Sequence, residues 1–349
     1  MSTPAVRHDP LLWLTESDVI AAVSLNDAIP ALAAGLIAES KGEAANVDKS
    51  LGMWDGQNAM HALGSMMPIK GYVGFKTWAH TVKGAAAVFS LFDAHNGSLL
   101  AMMEAVALGQ LRTAGISGLA TQAMADPAAD EMAVIGTGAQ SLMQVAAVAA
   151  TRQLRRLRVY SPTADKRSVY VAKARAAFQF EIINCASLED AVGNAGIVTL
   201  ITRAKAPFLD AAMIAHGAHI NAAGAILPGN AEFYPNLFER AALVVVDSVA
   251  NARKASAEFR EHFGPDDKNW SGIKTLGGLL AEHPNRAAGT DITLFKPMGM
   301  GLSDLCVASL VYERSLARGL GVALPRGQRQ PPRWTAAGAT SDRERCSLG

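Results

Sequence analysis

From Glu131 onward the chain carries short apolar runs: MAVIGTG, LRRLRVYSP, AGIVTLITR, GAHINAAGA and AALVVVDS. Helix-like stretches separate the earlier runs, which recur every ~20–30 residues, as in a parallel sheet buried on both faces by helices. The pattern reaches about DITLFKPMGMG. It predicts an α/β fold built on a Rossmann-type parallel sheet. The 349 residues, half of them hydrophobic, suggest two domains, since domains usually hold ~100–200 residues.

The first 125 residues read differently. TESDVIAAVSLNDAIPALAAGLIAESKG holds two helix starts, and Thr15 followed by Asp18 has the look of an N-terminus with a carboxylate in its first turn. LGMWDGQNAMHALGSMMPIKGYVGFKTWAHTV reads as strands and turns. AAVFSLFDAHNGSLLAMMEA reads as a hairpin about Asn96-Gly97, a pair whose members both tolerate positive φ. TAGISGLATQAMA predicts a helix of small residues suited to close packing. Near the C-terminus LSDLCVASLVYERSLARGLG is strongly amphipathic, and residues 325–349, rich in Pro and Arg with no apolar period, predict a disordered tail.

A net charge of +1 gives no electrostatic footprint for nucleic acid or an acidic membrane surface. Cys185, Cys306 and Cys346 are far apart and lack Cys-x-x-Cys spacing. That argues against a disulfide framework or a metal site and fits a reducing cytoplasm. The apolar run Leu11 to Leu14 is too short for a signal-peptide core. No apolar run reaches the ~18 residues of a membrane span.

The loop MAVIGTGAQSLMQ carries the first chemical expectation. Gly136 follows strand residues and makes a tight turn; Gly138 lets backbone N–H groups approach a pyrophosphate. A helix over 140–154 then aims its positive end at that group. Ser141 stands where dinucleotide-binding loops usually have a third glycine, a position that serves helix–strand packing. The cofactor contacts expected here are Gly136, Thr137, Gly138, Ala139, Gln140 and Ser141. An ordinary tight turn is the plain alternative. The next strand, RLRVYS, ends without the acid that would bind a ribose 2′-hydroxyl. Ser161, Thr163, Lys166 and Arg167 follow instead, with Asp165 as the nearest acid. NADP(H) is therefore favoured over NAD(H), with Ser161, Thr163 and Arg167 at the adenosine ribose. Thr202 and Asn221, at later strand ends, are further cofactor candidates, as is Asp304, which otherwise reads as a helix N-terminal acid.

MMPIKGYVGFKTWAH, LRTAGISGLA, AVIGTGAQ, GAHINAAGAILPGNAEF and LFKPMGMGLSDLCVASLVYERSLARGLG resemble, in order and spacing, the ornithine cyclodeaminase/mu-crystallin family, from about Leu14 to Leu324. The resemblance implies a Rossmann domain over 126–306 and a substrate-binding and dimerisation domain made of 1–125 and 307–324. It also implies a homodimer that reduces or oxidises small amino and imino acids with NAD(P). Lys76 in GFK resembles the family lysine at the substrate carboxylate, Arg112 in RTA the arginine paired with the same carboxylate, and Thr113 a residue beside the cofactor phosphates. A planar guanidinium fork suits a carboxylate, and a lysine adds a point charge able to carry a proton.

Three positions depart from the family pattern. Lys49 stands where members often have Arg. Ser65 replaces a Glu before the Met-Pro step. Ile226 fills the place of an Asp after the NAxG turn. The two acids that would meet the amines of ornithine are gone, which disfavours cyclodeaminase activity. The expectation is an NAD(P)H-dependent reductase of small carboxylate-bearing ketimines, or an amino-acid dehydrogenase. Lys76 and Arg112 are catalytic, and Lys49, Lys76, Arg112 and Ile226 bind substrate. Lys76 is the expected proton donor, with His61 and His80 behind it. The rival is an NADPH-dependent ligand-binding protein of the mu-crystallin type, its pocket lined by Met66, Met67, Trp78, Ile226 and Leu227. No metal is expected.

Overall fold

The computed structural model describes residues 10–56, 58–282 and 286–327, and Pro332. Most of the expected tail, and Cys346, lie outside the described residues. The chain opens with six strands, β1 (Leu11–Leu14), β2 (Ala45–Trp54), β3 (Asn58–Met67), β4 (Tyr72–Thr81), β5 (Gly84–Asp93) and β6 (Leu99–Glu104). Eight more follow: β7 (Glu131–Ile135), β8 (Arg156–Tyr160), β9 (Glu181–Asn184), β10 (Ile197–Leu200), β11 (His219–Ala222), β12 (Ala241–Val246), β13 (Lys274–Thr275) and β14 (Ile292–Lys296). The last is β15 (Val322–Leu324).

The early strands and β15 form one sheet, ordered β15-β1-β6-β5-β4-β3-β2. Strands β2 to β6 run as an antiparallel meander. Strands β7 to β14 form the second sheet, ordered β13-β12-β14-β11-β10-β7-β8-β9, with every pair parallel. This is the doubly wound α/β arrangement that the apolar runs predict. The strand order reverses between β7 and β10, the switch point where such sheets hold ligands beyond their C-terminal edge.

Helices α1 (Glu16–Ala22), α2 (Leu25–Ser40) and α3 (Val106–Met124) belong to the first part of the chain, and α4 (Ser141–Thr151) follows β7. Thr15 and Asp18 form a capping box at α1, as their spacing predicts. The start of α3 has no cap of its own. Glu16 supplies one, accepting the N–H groups of Val106 and Ala107 at 2.7 Å each. A carboxylate there satisfies free N–H donors and meets the positive helix end.

The final helix, Gly301–Arg318, packs on α2, α3 and strands β3 and β4, so its start contributes to the same core as the first sheet. The chain therefore returns to that sheet between Lys296 and Gly301, and the expected boundary at 306/307 falls inside the helix. Two local expectations also shift. Helix α4 spans 141–151 rather than 140–154. In the β5–β6 turn only Gly97 takes a positive φ, of 71°. Asn96 need not, because the Asp93 carboxylate accepts the N–H groups of His95 and Asn96 at 2.7 and 3.2 Å and sets the turn.

No single helix among the described residues is long and apolar enough to cross a membrane. Cys185 and Cys306 are buried free thiols.

The parallel sheet is tied to α3 through a buried polar chain. His219 Nδ1 lies 2.9 Å from Thr293 Oγ1, and its Nε2 lies 3.2 Å from Asn221 Oδ1. Asn221 Nδ2 donates to Thr121 Oγ1 on α3 at 2.8 Å. Burial holds the His219 imidazole neutral, pulling its pKa from 6.5 to about 3. A base with a depressed folded-state pKa contributes stability above its unfolded value, and that stability is lost as the pH falls. Relative to a His219→Gln variant, the protein is therefore expected to lose stability between pH 6.5 and 5, with a slope approaching about 1.4 kcal/mol per pH unit. Urea unfolding of both proteins at pH 7, 6 and 5 measures that difference. Parallel pH profiles would contradict a neutral, buried His219.

Candidate active site

Alternation along β4 sends Lys76 to the inner face of the first sheet, opposite Leu63 and Phe89. Its ammonium lies so close to α3 that a Cβ at Gly109 would stand 2.6 Å from Nζ, so the contact requires a glycine there. One helical turn on, Arg112 projects from the same side of α3. Asp304, in the first turn of the final helix, closes the cluster. Its Oδ1 lies 3.1 Å from Lys76 Nζ and 3.3 Å from Arg112 Nε. Side-chain exposure is 8% for Lys76, 15% for Arg112 and 0% for Asp304.

The cluster is only partly satisfied. Asp304 Oδ2 and Arg112 Nε are buried without a hydrogen-bond partner. Among the described residues no group accepts from the Arg112 guanidinium. Burial pulls Lys76 below the ordinary lysine range; Asp304 opposes that shift and Arg112 reinforces it. A fork of free N–H donors beside a reluctant ammonium is suited to receive a carboxylate.

Trp78 stands beside the cluster. Lys76 Nζ and Lys49 Nζ lie 5.6 and 5.7 Å from its ring centroid, and His61 stacks on it at 4.4 Å, 8° from parallel. Burial, then Arg112 and Lys254, lower the pKa of Lys49. Burial, then Lys49 and His80, lower that of His61. His80 itself is exposed near the end of β4.

The turn before the final helix is held by residues that sequence reasoning did not single out. Asp247, buried at the end of β12, accepts the N–H groups of Met298 and Gly299 at 2.8 and 2.7 Å. Asn251 Nδ2 donates to Gly299 O at 2.9 Å. Gly299 adopts a φ of +86°, and a Cβ there would stand 3.3 Å from Arg112 Nη1. Asn46 Oδ1 accepts from Leu302 N at 2.8 Å while its Nδ2 donates to Glu39 at 2.6 Å. Burial pushes the Glu39 carboxyl up to about 7, against the Asn46 hydrogen bond and with help from Asp247. An acid closing the apolar run VVVD was the available signal for Asp247.

The loop after β7 fits a dinucleotide. Gly136 takes a φ of +111°, and a Cβ there would sit 2.6 Å from Ile201 O, so the turn itself demands glycine. At Gly138 a Cβ would meet nothing within 4 Å. The fold therefore leaves open space at the start of α4, where a phosphate would seat. Ser141 is buried, its Oγ 2.7 Å from Gly136 O and 2.9 Å from Tyr170 Oη, the packing role expected of the third position. Thr137 and Gln140 are half-buried and Ala139 is exposed. Gln140 Oε1 is buried without a partner.

Beyond β8, Ser161 is buried, and Thr163 is exposed with its hydroxyl unused by the helix it precedes. Arg167 donates to Ser161 O and to Asn184. Thr113 gives its hydroxyl to Gly109 O at 2.6 Å, and its carbonyl accepts from Gln144 on α4 at 3.3 Å. That contact sets the Arg112 cradle next to the phosphate loop.

Two cofactor candidates have side chains spent inside the protein. Asn221 is fully buried between His219 and Thr121. Thr202 gives both its N–H and its hydroxyl to Glu232 Oε1, at 2.7 Å each. Glu232 Oε2 also accepts from Gly224 and Ala225 at 2.9 and 3.0 Å. The fully buried Glu232 thus ties together the ends of β10 and β11, and Glu258 receives its N–H and the Lys296 ammonium. Glu232 lies in GAHINAAGAILPGNAEF but carries no sequence-level signature of this role.

Ile226 and Leu227 are exposed in the loop after β11. The apolar pocket expected of a ligand-binding protein does not assemble. Met67 is a core residue, and Met66 pairs with Val73 on the sheet face opposite Lys76 and Trp78. Among the described residues no group of three or more His, Cys, Asp and Glu is placed to hold a metal.

Residues 12–319 match the model of the ornithine cyclodeaminase/mu-crystallin family. The chain belongs to that family. A Delta(1)-pyrroline-2-carboxylate reductase from Bacillus cereus (strain ATCC 10987 / NRS 248) is 28% identical over 236 residues, 67% of this chain and 72% of the relative. The ketimine reductase mu-crystallin of Mus musculus is 30% identical over 223 residues, 64% and 67% of the two chains. The fold is shared with the Thermococcus litoralis Delta(1)-pyrroline-2-carboxylate reductase in complex with NADH and L-proline: TM-score 0.83, 23% identity, 89% of this chain and 99% of that one. It is shared too with the iminosuccinate reductase of Paracoccus denitrificans in complex with NAD+: TM-score 0.81, 21% identity, 91% and 100%.

The buried cluster generates a stability prediction. Asp304→Asn leaves Lys76 and Arg112 facing each other without a counter-charge and is expected to cost about 3–5 kcal/mol. Adding Lys76→Met removes the stranded ammonium and should recover most of that loss. Denaturant unfolding of both variants measures it; a double variant no more stable than Asp304→Asn would contradict the pairing.

Proposed function

We propose that this chain is an NAD(P)H-dependent reductase of ketimines that carry a carboxylate. The observation that carries the reading is the Arg112 guanidinium, its donors unused, next to a buried Lys76 with a lowered pKa. Arg112 takes the substrate carboxylate as a two-pronged acceptor. Lys76 adds a second charge to that carboxylate and holds the proton that the imine nitrogen needs. Burial makes Lys76 a readier donor than an ordinary lysine, and Asp304 keeps it charged until substrate arrives. When bound, the reduced nicotinamide supplies a hydride to the C=N carbon. Fixing substrate carboxylate and cofactor loop on the adjacent helices α3 and α4 supplies positioning, a large part of such an acceleration.

NADP(H) is the preferred cofactor in this reading. No acid ends β8, and Thr163, Lys166 and Arg167 offer hydroxyl and cationic groups to a 2′-phosphate. Gly136 to Ser141 hold the pyrophosphate; the side chains of Thr202 and Asn221 are already bonded within the protein. Cyclodeaminase chemistry is disfavoured, because a buried Ser65 and an exposed Ile226 offer no carboxylate to a substrate amine.

The first sheet with the final helix forms the substrate domain and the parallel sheet the cofactor domain. A second copy of the chain covers the outer face of the first sheet, where Met60, Met66 and Phe75 are 57%, 41% and 40% exposed. The cytoplasm, with its reduced pyridine nucleotides, is the compartment that suits the activity.

The test is NADPH oxidation with pyruvate plus methylamine, and with pyrroline- and piperideine-2-carboxylate. Turnover of at least one is expected, and Arg112→Ala should lower kcat/KM about 100-fold or more, chiefly through KM. Tight NADPH binding with no oxidation by any of the three, nor by the imine of oxaloacetate and methylamine, would overturn the reductase reading. An unchanged kcat/KM in Arg112→Ala would overturn the carboxylate assignment.

A further inference from the structure

Lys49 has a cation's cost and no acid to offset it. It is half-buried beside Trp78, and no ion pair or hydrogen bond of its side chain occurs among the described residues. A cation–π contact of ~0.5–1 kcal/mol does not neutralise an ammonium. Its surroundings add to the imbalance. Asn251, on the short helix Val249–Ala255, binds the Gly299 carbonyl beside Arg112, and the same helix brings Lys254 near enough to act on Lys49. Lys49, Lys76, Arg112 and Lys254 gather near Asp304 and Asp247, with Glu16 also acting on Lys76, yet none of these acids pairs with Lys49. Both Asp247 oxygens are already committed to the N–H groups of Met298 and Gly299. A substrate carboxylate held by Arg112 and Lys76 would still leave Lys49 without an acid partner of its own. Ser65 and Ile226 bring no further acid to the chain at the two positions where the family pattern has one.

We infer that the imine reduced at this site is a dicarboxylate, its first carboxylate on Arg112 and Lys76 and its second on Lys49. The inference rests on the imine-reductase reading. Its dimensions agree. Nζ of Lys49 and Nζ of Lys76 lie 5.7 and 5.6 Å from one ring centroid, so they stand at most about 11 Å apart, the sum of those distances. The two carboxyl carbons of a four- or five-carbon diacid are roughly 4–5 Å apart, given carbon–carbon bonds of about 1.5 Å. Charge-assisted hydrogen bonds of about 3 Å at each end give an extended span that does not exceed that upper bound. Each turnover consumes one imine, one NADPH and one proton. The C=N carbon takes the hydride, the π electron pair goes to nitrogen, and nitrogen takes the proton, giving an N-substituted amino diacid and NADP+.

The experiment compares NADPH oxidation with methylamine and either oxaloacetate or 2-oxobutyrate, whose imines share a four-carbon chain and differ in the distal carboxylate. The oxaloacetate imine is expected to show a kcat/KM at least tenfold higher. Lys49→Met should bring that ratio to about one, and Lys49→Arg should keep it. A wild-type ratio at or below one, or a ratio that survives in a folded Lys49→Met variant, would overturn the inference while leaving the reductase reading intact. Absence of turnover with both imines and with pyrroline-2-carboxylate would overturn the reductase reading and this inference together.

Discussion

One buried carboxylate, that of Asp304, allows two cations to sit side by side at the edge of the interior. Without it, Lys76 and Arg112 would repel each other in a place that water barely reaches, and one would have to leave or lose its charge. Much of the surrounding structure holds those three groups in place. Glu16 caps the helix that carries Arg112. Asp247, Asn251 and Asn46 fix the turn from which Asp304 emerges. Gly109 leaves room for the Lys76 ammonium. The arrangement is pre-charged and under-satisfied: Oδ2 of Asp304 and Nε of Arg112 find no partner within the protein. Such a site gains most from a ligand that brings an acceptor to Arg112 and a donor to Asp304.

The cofactor half was the more legible part of the sequence, for a physical reason. Strands buried on both faces are largely apolar, so β7 and β10 announce themselves as runs, while β8 alternates arginines with buried Leu157 and Val159. The Gly136 turn is set by local backbone geometry and lies within a few residues of the strand that feeds it. The cradle is different. Lys76 and Asp304 are 228 residues apart, and nothing local to either marks them as partners. Asp304 read equally well as an acid at a helix start. Glu232 and Asp247 were missed for the same reason: their work is to accept backbone N–H groups from distant loops. Thr202 and Asn221 lie at the expected strand ends, yet neighbours already occupy their side chains, which no strand-end rule can foresee. Asn96 shows the smaller version of this limit, since the Asp93 side chain rather than the Asn-Gly pair sets the turn.

The departures from the family pattern take on a common meaning in this setting. Ser65 and Ile226 carry no negative charge where the family pattern has acids, and Lys49 retains positive charge without the forked geometry of an arginine. The two lost acids disfavour a substrate amine, and the retained lysine charge still suits a carboxylate. The Lys76–Asp304–Arg112 ion-pair cluster is intact.

The claim at the centre of this account is hydride delivery to the carbon of a C=N bond while the neighbouring carboxylate is held by Arg112. Transfer of isotope addresses it directly. With NADPH deuterated at nicotinamide C4, pyruvate and methylamine, the account predicts N-methylalanine carrying one deuterium at C2, formed in step with NADPH oxidation. Product without deuterium at that carbon, or NADPH consumed with no amine formed, would contradict it.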